Sequence, residues 1–154
     1  MDFYILAKCT AILFLSLQNP TTLVFEEPIE FMSLGKNGSV EVHRSKNKKI
    51  LVLQAKRELE AQMVVLTKNQ NFQFKIKSLQ SNYHPLVHIH AGAINKTYVN
   101  KLETSDFKIL EGDSSILFQN KKEEPILVND VLVKREEYFS KGSPLLMNEQ
   151  RIFN

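Results

Sequence analysis

Residues 66–77, LTKNQNFQFKIK, contain the most regular pattern in the chain. A polar bend is followed by a segment in which Phe72 and Phe74 alternate with polar residues. Alternation with a period of two is typical of a β-strand that has one buried face. The preceding segment, residues 62–67, is apolar and contains β-branched residues. We therefore predict that the two segments pair as an antiparallel hairpin, with both phenyl rings in the core; the alternative is that the rings lie on an exposed face and dock a neighbouring subunit.

Similar short segments recur about every ten residues. Asn37-Gly38 between two of them is a strong turn signal, and residues 56–60, which alone have local helical character, are too few to hold a helix. This spacing predicts an all-β fold, an antiparallel, Ig-like β-sandwich over residues 21–104. The predicted strands are residues 22–25, 29–32, 39–43, 50–53, 62–67, 72–77 and 86–90.

Residues 105–154 are less regular, and we predict a short C-terminal β-hairpin extension there. Its strands would be residues 115–119 and 125–133, joined across the charged segment NKKEE at 120–124. Asn129-Asp130 indicates a tight turn inside the second of these segments. Residues 145–147 indicate one more strand.

Residues 1–20 differ from the rest of the chain. Lys8 precedes a short apolar run, residues 11–17, which is followed by a polar exit that contains Pro20. This layout predicts a signal peptide or an N-terminal anchor, and hence a protein of the periplasm or cell envelope. The alternative is that the run is a first β-strand. Cleavage would remove Cys9, the single cysteine, and would leave a chain without thiol chemistry.

The composition is that of an ordinary globular protein. The chain has 154 residues and a net charge of +3, with scattered lysines, so one domain or one domain with a small appendage is expected. The densest basic run, residues 44–49, is interpreted as a solvated turn. We therefore predict no nucleic-acid partner.

Three histidines are the only candidates for a metal site. On a strand, His84, His88 and His90 would lie on one face, with Val87 and Ile89 on the other. Imidazoles two residues apart can share a metal ion. However, neither a cysteine nor a clear carboxylate partner accompanies them, so a polar outer face is the favoured interpretation. We predict no metal site and no cofactor.

No catalytic arrangement is evident in the sequence. The glycines lie in predicted turns and form no phosphate-binding loop. Paired acids occur at residues 26–27, 123–124 and 136–137, but adjacent side chains point apart on a strand, whereas acid–base catalysis needs converging groups. The chain is therefore predicted not to be an enzyme, and a metal-dependent enzyme built on the three histidines is the least favoured alternative.

Between residues 23 and 76, a series of short apolar motifs occurs in a characteristic order. They are LVF at 23–25, PI at 28–29, LG at 34–35, valines at 40 and 42, LVL at 51–53, MVVLT at 63–67 and F-x-F at 72–74. This series resembles the N-terminal domain of the TraK/TrbG/CagX family, periplasmic proteins of type IV secretion and conjugation machines.

The resemblance implies a structural, protein-binding subunit whose β-domains pack side by side in a larger oligomer. The implied partners are other secretion-core proteins, namely ring subunits and an outer-membrane lipoprotein, at the periphery of the outer membrane. The alternative is a free-standing exported adhesin or carbohydrate-binding module. Its candidate contact residues would be Tyr83, Tyr98 and Tyr138, since glycan sites usually display exposed aromatic rings.

Overall fold

The computed structural model describes residues 1–35, 38–79 and 82–154. Within these residues, the regular structure consists of 17 strands, which confirms the predicted all-β fold. No helix within the described ranges is long and apolar enough to cross a membrane. The turn predicted at Asn37-Gly38 lies partly outside the described residues, because Asn37 is not among them.

The first nine strands form two sheets that pack on a shared core. One sheet has the order β1-β9-β3-β6-β5 and the other the order β2-β8-β7-β4. β9 runs parallel to β1 and β3, and β2 runs parallel to β8, so this sandwich is mixed rather than antiparallel as predicted. The strands are β1 (Asp2–Ile5), β2 (Thr10–Ser16), β3 (Thr21–Phe25), β4 (Ile29–Leu34), β5 (Val40–Arg44), β6 (Ile50–Ala55), β7 (Glu60–Thr67), β8 (Asn71–Leu79) and β9 (Leu86–Ala91).

The predicted hairpin is confirmed at the centre of this sandwich. β7 pairs antiparallel with β8, and Met63 lies opposite Phe74 in the ladder. Phe72 is 4% exposed and Phe74 is fully buried, as the alternation of apolar and polar residues predicts. All seven strands predicted between residues 22 and 90 are present, with small differences at their ends.

Residues 1–20 are built into the first sandwich. β2 is buried on both faces: Leu13 and Leu15 enter the first core, whereas Ile12 and Phe14 point to the opposite face. The first sandwich therefore begins at β1 rather than at residue 21. This agrees with the alternative interpretation, in which the apolar run is a β-strand. Cleavage after residue 20 would remove both β1 and β2 from the sheets.

The C-terminal part forms a second sandwich, and the predicted hairpin extension is wrong. Its sheets have the orders β10-β11-β12-β15 and β14-β13-β16-β17, and they share a second core. β12 pairs with β11 and β15, not with β13. The strands are β10 (Val99–Glu103), β11 (Phe107–Glu111), β12 (Ile116–Asn120), β13 (Ile126–Val128), β14 (Val131–Val133), β15 (Glu136–Phe139), β16 (Leu145–Met147) and β17 (Gln150–Phe153).

The tight turn predicted at Asn129-Asp130 is confirmed. It joins β13 to β14, and its two residues have φ values of 47° and 67°. Positive φ at both central positions is the geometry that suits a two-residue hairpin. Asn129 also fixes the turn on the neighbouring strand, because its Oδ1 accepts a hydrogen bond from the Leu146 amide at 2.8 Å.

Strands β1 and β2 join the two sandwiches. The Tyr4 N–H donates to the Lys141 carbonyl at 2.8 Å, and the Lys141 N–H donates back to the Tyr4 carbonyl at 3.0 Å. On β2, Ile12 and Phe14 form a small apolar cluster with Leu146 of β16. The N-terminal segment thus belongs to the first core and also carries the contact with the second sandwich.

Candidate protein-binding surface

His84 is a buried packing residue and does not lie on strand β9. It precedes that strand, is 2% exposed, and its ring lies 5.1 Å from the Phe3 ring and 5.4 Å from the Phe14 ring. Its Nδ1 accepts a hydrogen bond from the Phe14 amide at 3.0 Å. Burial, with a smaller effect of the Arg151 charge, lowers the pKa of His84 to about 4. The ring is therefore neutral at physiological pH, with its proton on Nε2.

The other two histidines lie on β9, where their side chains have different surroundings. His88 is exposed. His90 is partly buried, with Nδ1 2.5 Å from Glu26 Oε1 and Nε2 2.8 Å from Asp2 Oδ1. The expectation that all three histidines share one face is therefore wrong, because His84 precedes the strand and enters the core. Within the described residues, no three histidine, cysteine or acidic side chains are grouped as metal ligands.

Two of the three candidate tyrosines are brought together. The rings of Tyr98 and Tyr138 lie 6.0 Å apart, and both residues are partly buried. The Tyr98 hydroxyl accepts a hydrogen bond from the Asn95 amide at 2.9 Å and lies 2.9 Å from Ser115 Oγ. Tyr83 does not stack with either of them. The pair therefore packs the connection before β10 onto the second sandwich.

Several exposed apolar side chains lie on or beside terminal strands of the sheets. β14 is the last strand of its sheet, and Leu132 on this strand is 66% exposed. Leu127 lies directly opposite Leu132 in the ladder, and Leu127 and Val131 are 38% and 40% exposed. We call Leu127, Val131 and Leu132 the β14 patch. The sequence alone did not indicate it, since valines and leucines in short strands are usually core residues.

A second exposed ring lies on the first sandwich. Phe31 on β4, the terminal strand of its sheet, is 53% exposed. It lies opposite Leu66 of β7, which is partly buried on the same outer face. A bulge between Ile29 and Phe31 changes the alternation at this point, and a β-bulge re-aims the side chains that follow it. Each sandwich thus has an exposed apolar side chain on a sheet edge.

An ion-pair junction lies between the sandwiches. Lys75 on β8 pairs with Glu60 at 2.7 Å and with Asp130 in the β13–β14 turn. Lys77 pairs with Glu149 in the β16–β17 turn at 2.5 Å. The lysine side chains are only 10% and 13% exposed. Two turns of the second sandwich therefore place carboxylates on the outer face of β8, where the alternation had predicted polar side chains.

Beside this junction, an open cleft of about 840 Å³ separates the end of β8 from β17. Its apolar base includes Phe14, Leu79 and Leu146. Arg151 of β17 contributes to the rim, with its guanidinium 5.8 Å from the centre of the Phe14 ring. Acidic and basic side chains both line the rim, so its charge selects no single class of ligand.

No protein-family model matches the chain, and no curated protein matches it.

Proposed function

We propose that the chain is a structural, protein-binding subunit of a bacterial envelope assembly of the type IV secretion or conjugation kind. The observation that carries this proposal is the β14 patch, in which Val131 and Leu132 are exposed on the terminal strand of a sheet and Leu127 is exposed opposite Leu132 on β13. Exposed apolar groups beside a strand edge are typical of surfaces that bind protein. The motif series between residues 23 and 76 supports the choice of assembly.

The two sandwiches offer separate contacts for neighbours. A partner strand can add to an exposed edge through backbone hydrogen bonds, while side-chain pockets supply specificity. The β14 patch offers one such edge, and Phe31 on β4 offers another. A stable contact at either edge would bury about 1,200–2,000 Å² in total. In the proposed assembly, the partners are ring subunits and an outer-membrane lipoprotein at the periphery of the outer membrane.

This role requires protein-binding surfaces rather than catalytic groups. A subunit that binds through sheet edges needs a rigid scaffold, and the central hairpin of β7 and β8 provides buried aromatic anchors for one. No catalytic group and no cofactor belongs to the proposal. The proposed location is the periplasm or cell envelope. In this proposal the chain retains residues 2–16 there, because they supply two strands of the first sandwich.

Affinity capture from fractionated cells tests the proposal. The tagged chain would be purified from cytoplasmic and envelope fractions, and the proteins recovered with it would be identified by mass spectrometry. We expect recovery from the envelope together with ring subunits and a lipoprotein. A chain confined to the cytoplasmic fraction would contradict the proposed assembly.

A matched pair of variants tests the surface. Leu132→Asp places a charge in the β14 patch, whereas Ile94→Asp makes the same change at a residue that is 62% exposed between β9 and β10. We expect Leu132→Asp to lose the captured partners and Ile94→Asp to retain them. Equal capture by the two variants would show that the patch is not the binding surface.

A further inference from the structure

The His90 ring lies between carboxylates from two other segments of the chain. Asp2 belongs to β1, and Glu26 follows β3. Their oxygens lie 2.8 Å from Nε2 and 2.5 Å from Nδ1 of His90. Ionised carboxylates only accept hydrogen bonds, and a neutral imidazole has only one N–H to donate. Both contacts can therefore be hydrogen bonds only when the ring is an imidazolium.

This cluster acts on β1, which has contacts on both sides. On one side β1 pairs with β9: the His88 amide donates to the Met1 carbonyl and the Gly92 amide to the Ile5 carbonyl, both at 2.9 Å. On the other side, Tyr4 exchanges two backbone hydrogen bonds with Lys141 of the second sandwich. The loss of β1 from β9 would therefore also disturb the link between the sandwiches.

Two further contacts show how closely the second sandwich follows β1. The Leu6 amide donates to Ser140 Oγ at 3.0 Å. Gly142 approaches the backbone of β1 so closely that a Cβ atom there would lie 2.1 Å from the Asp2 carbonyl oxygen. Since Asp2 carries both this backbone contact and the carboxylate that holds His90, the position of the cluster and the position of the second sandwich are coupled.

We propose that Asp2, His90 and Glu26 form a proton-dependent latch. While the His90 ring is charged, the latch holds β1 in place between β9 and the second sandwich. When the ring loses its proton, β1 is held less firmly. After deprotonation, one ring nitrogen presents a lone pair to a carboxylate oxygen, so one attraction becomes a repulsion. The latch does not depend on the proposed secretion function, because it concerns only contacts within this chain.

The surroundings of the ring favour its charged form. Burial opposes the charge, but the hydrogen bonds of Glu26 and Asp2 outweigh it and raise the pKa of His90 above its ordinary value. The hydrogen bond to His90 lowers the pKa of Asp2, with smaller contributions from the Met1 amine and His88. The Tyr4 ring stacks on His90 at 4.9 Å. The latch is therefore closed below the raised pKa of His90 and opens as the pH rises through it.

Amide hydrogen exchange followed by NMR on the complete chain tests the latch. Protection factors, which correct for the intrinsic effect of pH, would be compared at about pH 6 and about pH 9, on either side of the range in which a stabilised imidazolium titrates. We expect the protection of the Tyr4 and Gly92 amides to fall several-fold at the higher pH, while the Phe74 amide in the core keeps its protection. Unchanged protection of Tyr4 and Gly92 would overturn the proposal.

Two variants make the test specific. His90→Gln removes the titrating group, so the pH dependence at Tyr4 and Gly92 should disappear. His43→Gln is the matched control, because His43 lies 2.8 Å from the Glu41 carboxylate on β5 and is exposed; the pH dependence should remain. The reverse outcome for either variant would overturn the latch.

A measurement on the unmodified chain keeps the proposal testable if His90→Gln does not fold. The His90 ring would be titrated directly by its NMR shifts. Its midpoint should lie above the ordinary histidine value of about 6.5, and it should fall in a Glu26→Gln variant. A midpoint at or below the ordinary value would exclude the latch.

Discussion

Truncation of Phe74 to alanine is expected to destabilise the first sandwich strongly. Phe74 is fully buried and lies opposite Met63 of β7 on one side and Ala11 of β2 on the other. A large neighbour and a small one therefore flank the ring in the sheet. Because these neighbours belong to paired strands, they cannot move far enough to fill the space that the ring would leave.

The expected loss of unfolding free energy is about 3–5 kcal/mol, the usual cost of truncating a buried phenylalanine. A domain has only about 5–15 kcal/mol of stability in total, so the change removes a large share of it. At roughly 2–4 °C per kcal/mol for a chain of this size, the melting temperature should fall by about 6–20 °C. The double variant Phe72→Ala/Phe74→Ala should be unfolded.

Thermal melts and urea titrations, both followed by circular dichroism, measure the effect. Phe31→Ala is the matched control, because it removes the same ring from a site that is 53% exposed. Its melting temperature should stay close to that of the unmodified chain, since exposed substitutions usually change stability by about 0.5 kcal/mol or less. An unshifted melt for Phe74→Ala would refute the assignment of this ring to the core.

Two other expectations concern the junction and the histidines. Asp130→Asn combined with Glu149→Gln should lower the unfolding free energy by about 1–2 kcal/mol, because Lys75 and Lys77, which are mostly buried, lose charged partners; urea titration measures this. Glu103→Gln, which removes a charge from the more exposed pair with Lys121, is the control. An equal loss of unfolding free energy in both variants would contradict the stabilising role of the junction. Calorimetric titration with Zn²⁺ should show no tight uptake, because His84 is buried apart from His90 and both His90 nitrogens face carboxylates. Micromolar binding that disappears in a His88→Ala/His90→Ala variant would disprove this expectation.

Much of the first sandwich could be predicted from local pattern. The alternation around Phe72 and Phe74 specifies which side chains of β8 point inward, and the polar bend before it specifies an antiparallel partner. Both features lie within a few residues of each other, so the hairpin needs no information from elsewhere in the chain. The same holds for Asn129-Asp130, whose turn geometry depends on only two residues.

The second sandwich could not be predicted in this way. β13, β14 and β16 have three residues each, so that alternation within them is too short to indicate which side chains point inward. Their pairing also skips along the sequence, since β13 lies between β14 and β16. The exposure of Leu132 depends on β14 being the last strand of its sheet, and a leucine in a short apolar segment does not itself reveal that position.

That this chain is made of strands follows from its sequence, because alternation and turn residues are local properties. The contacts that the strands make with each other depend on how the sheets assemble. The apolar run at residues 11–17 fits either an export segment or a strand until β8 is placed beside it in parallel register. His84 and His90 are six residues apart, but the first is neutral and buried between Phe3 and Phe14, whereas the second is held by Asp2 and Glu26. A side chain's charge and burial follow from neighbours that are distant in sequence, and those neighbours are chosen only when the sheets form.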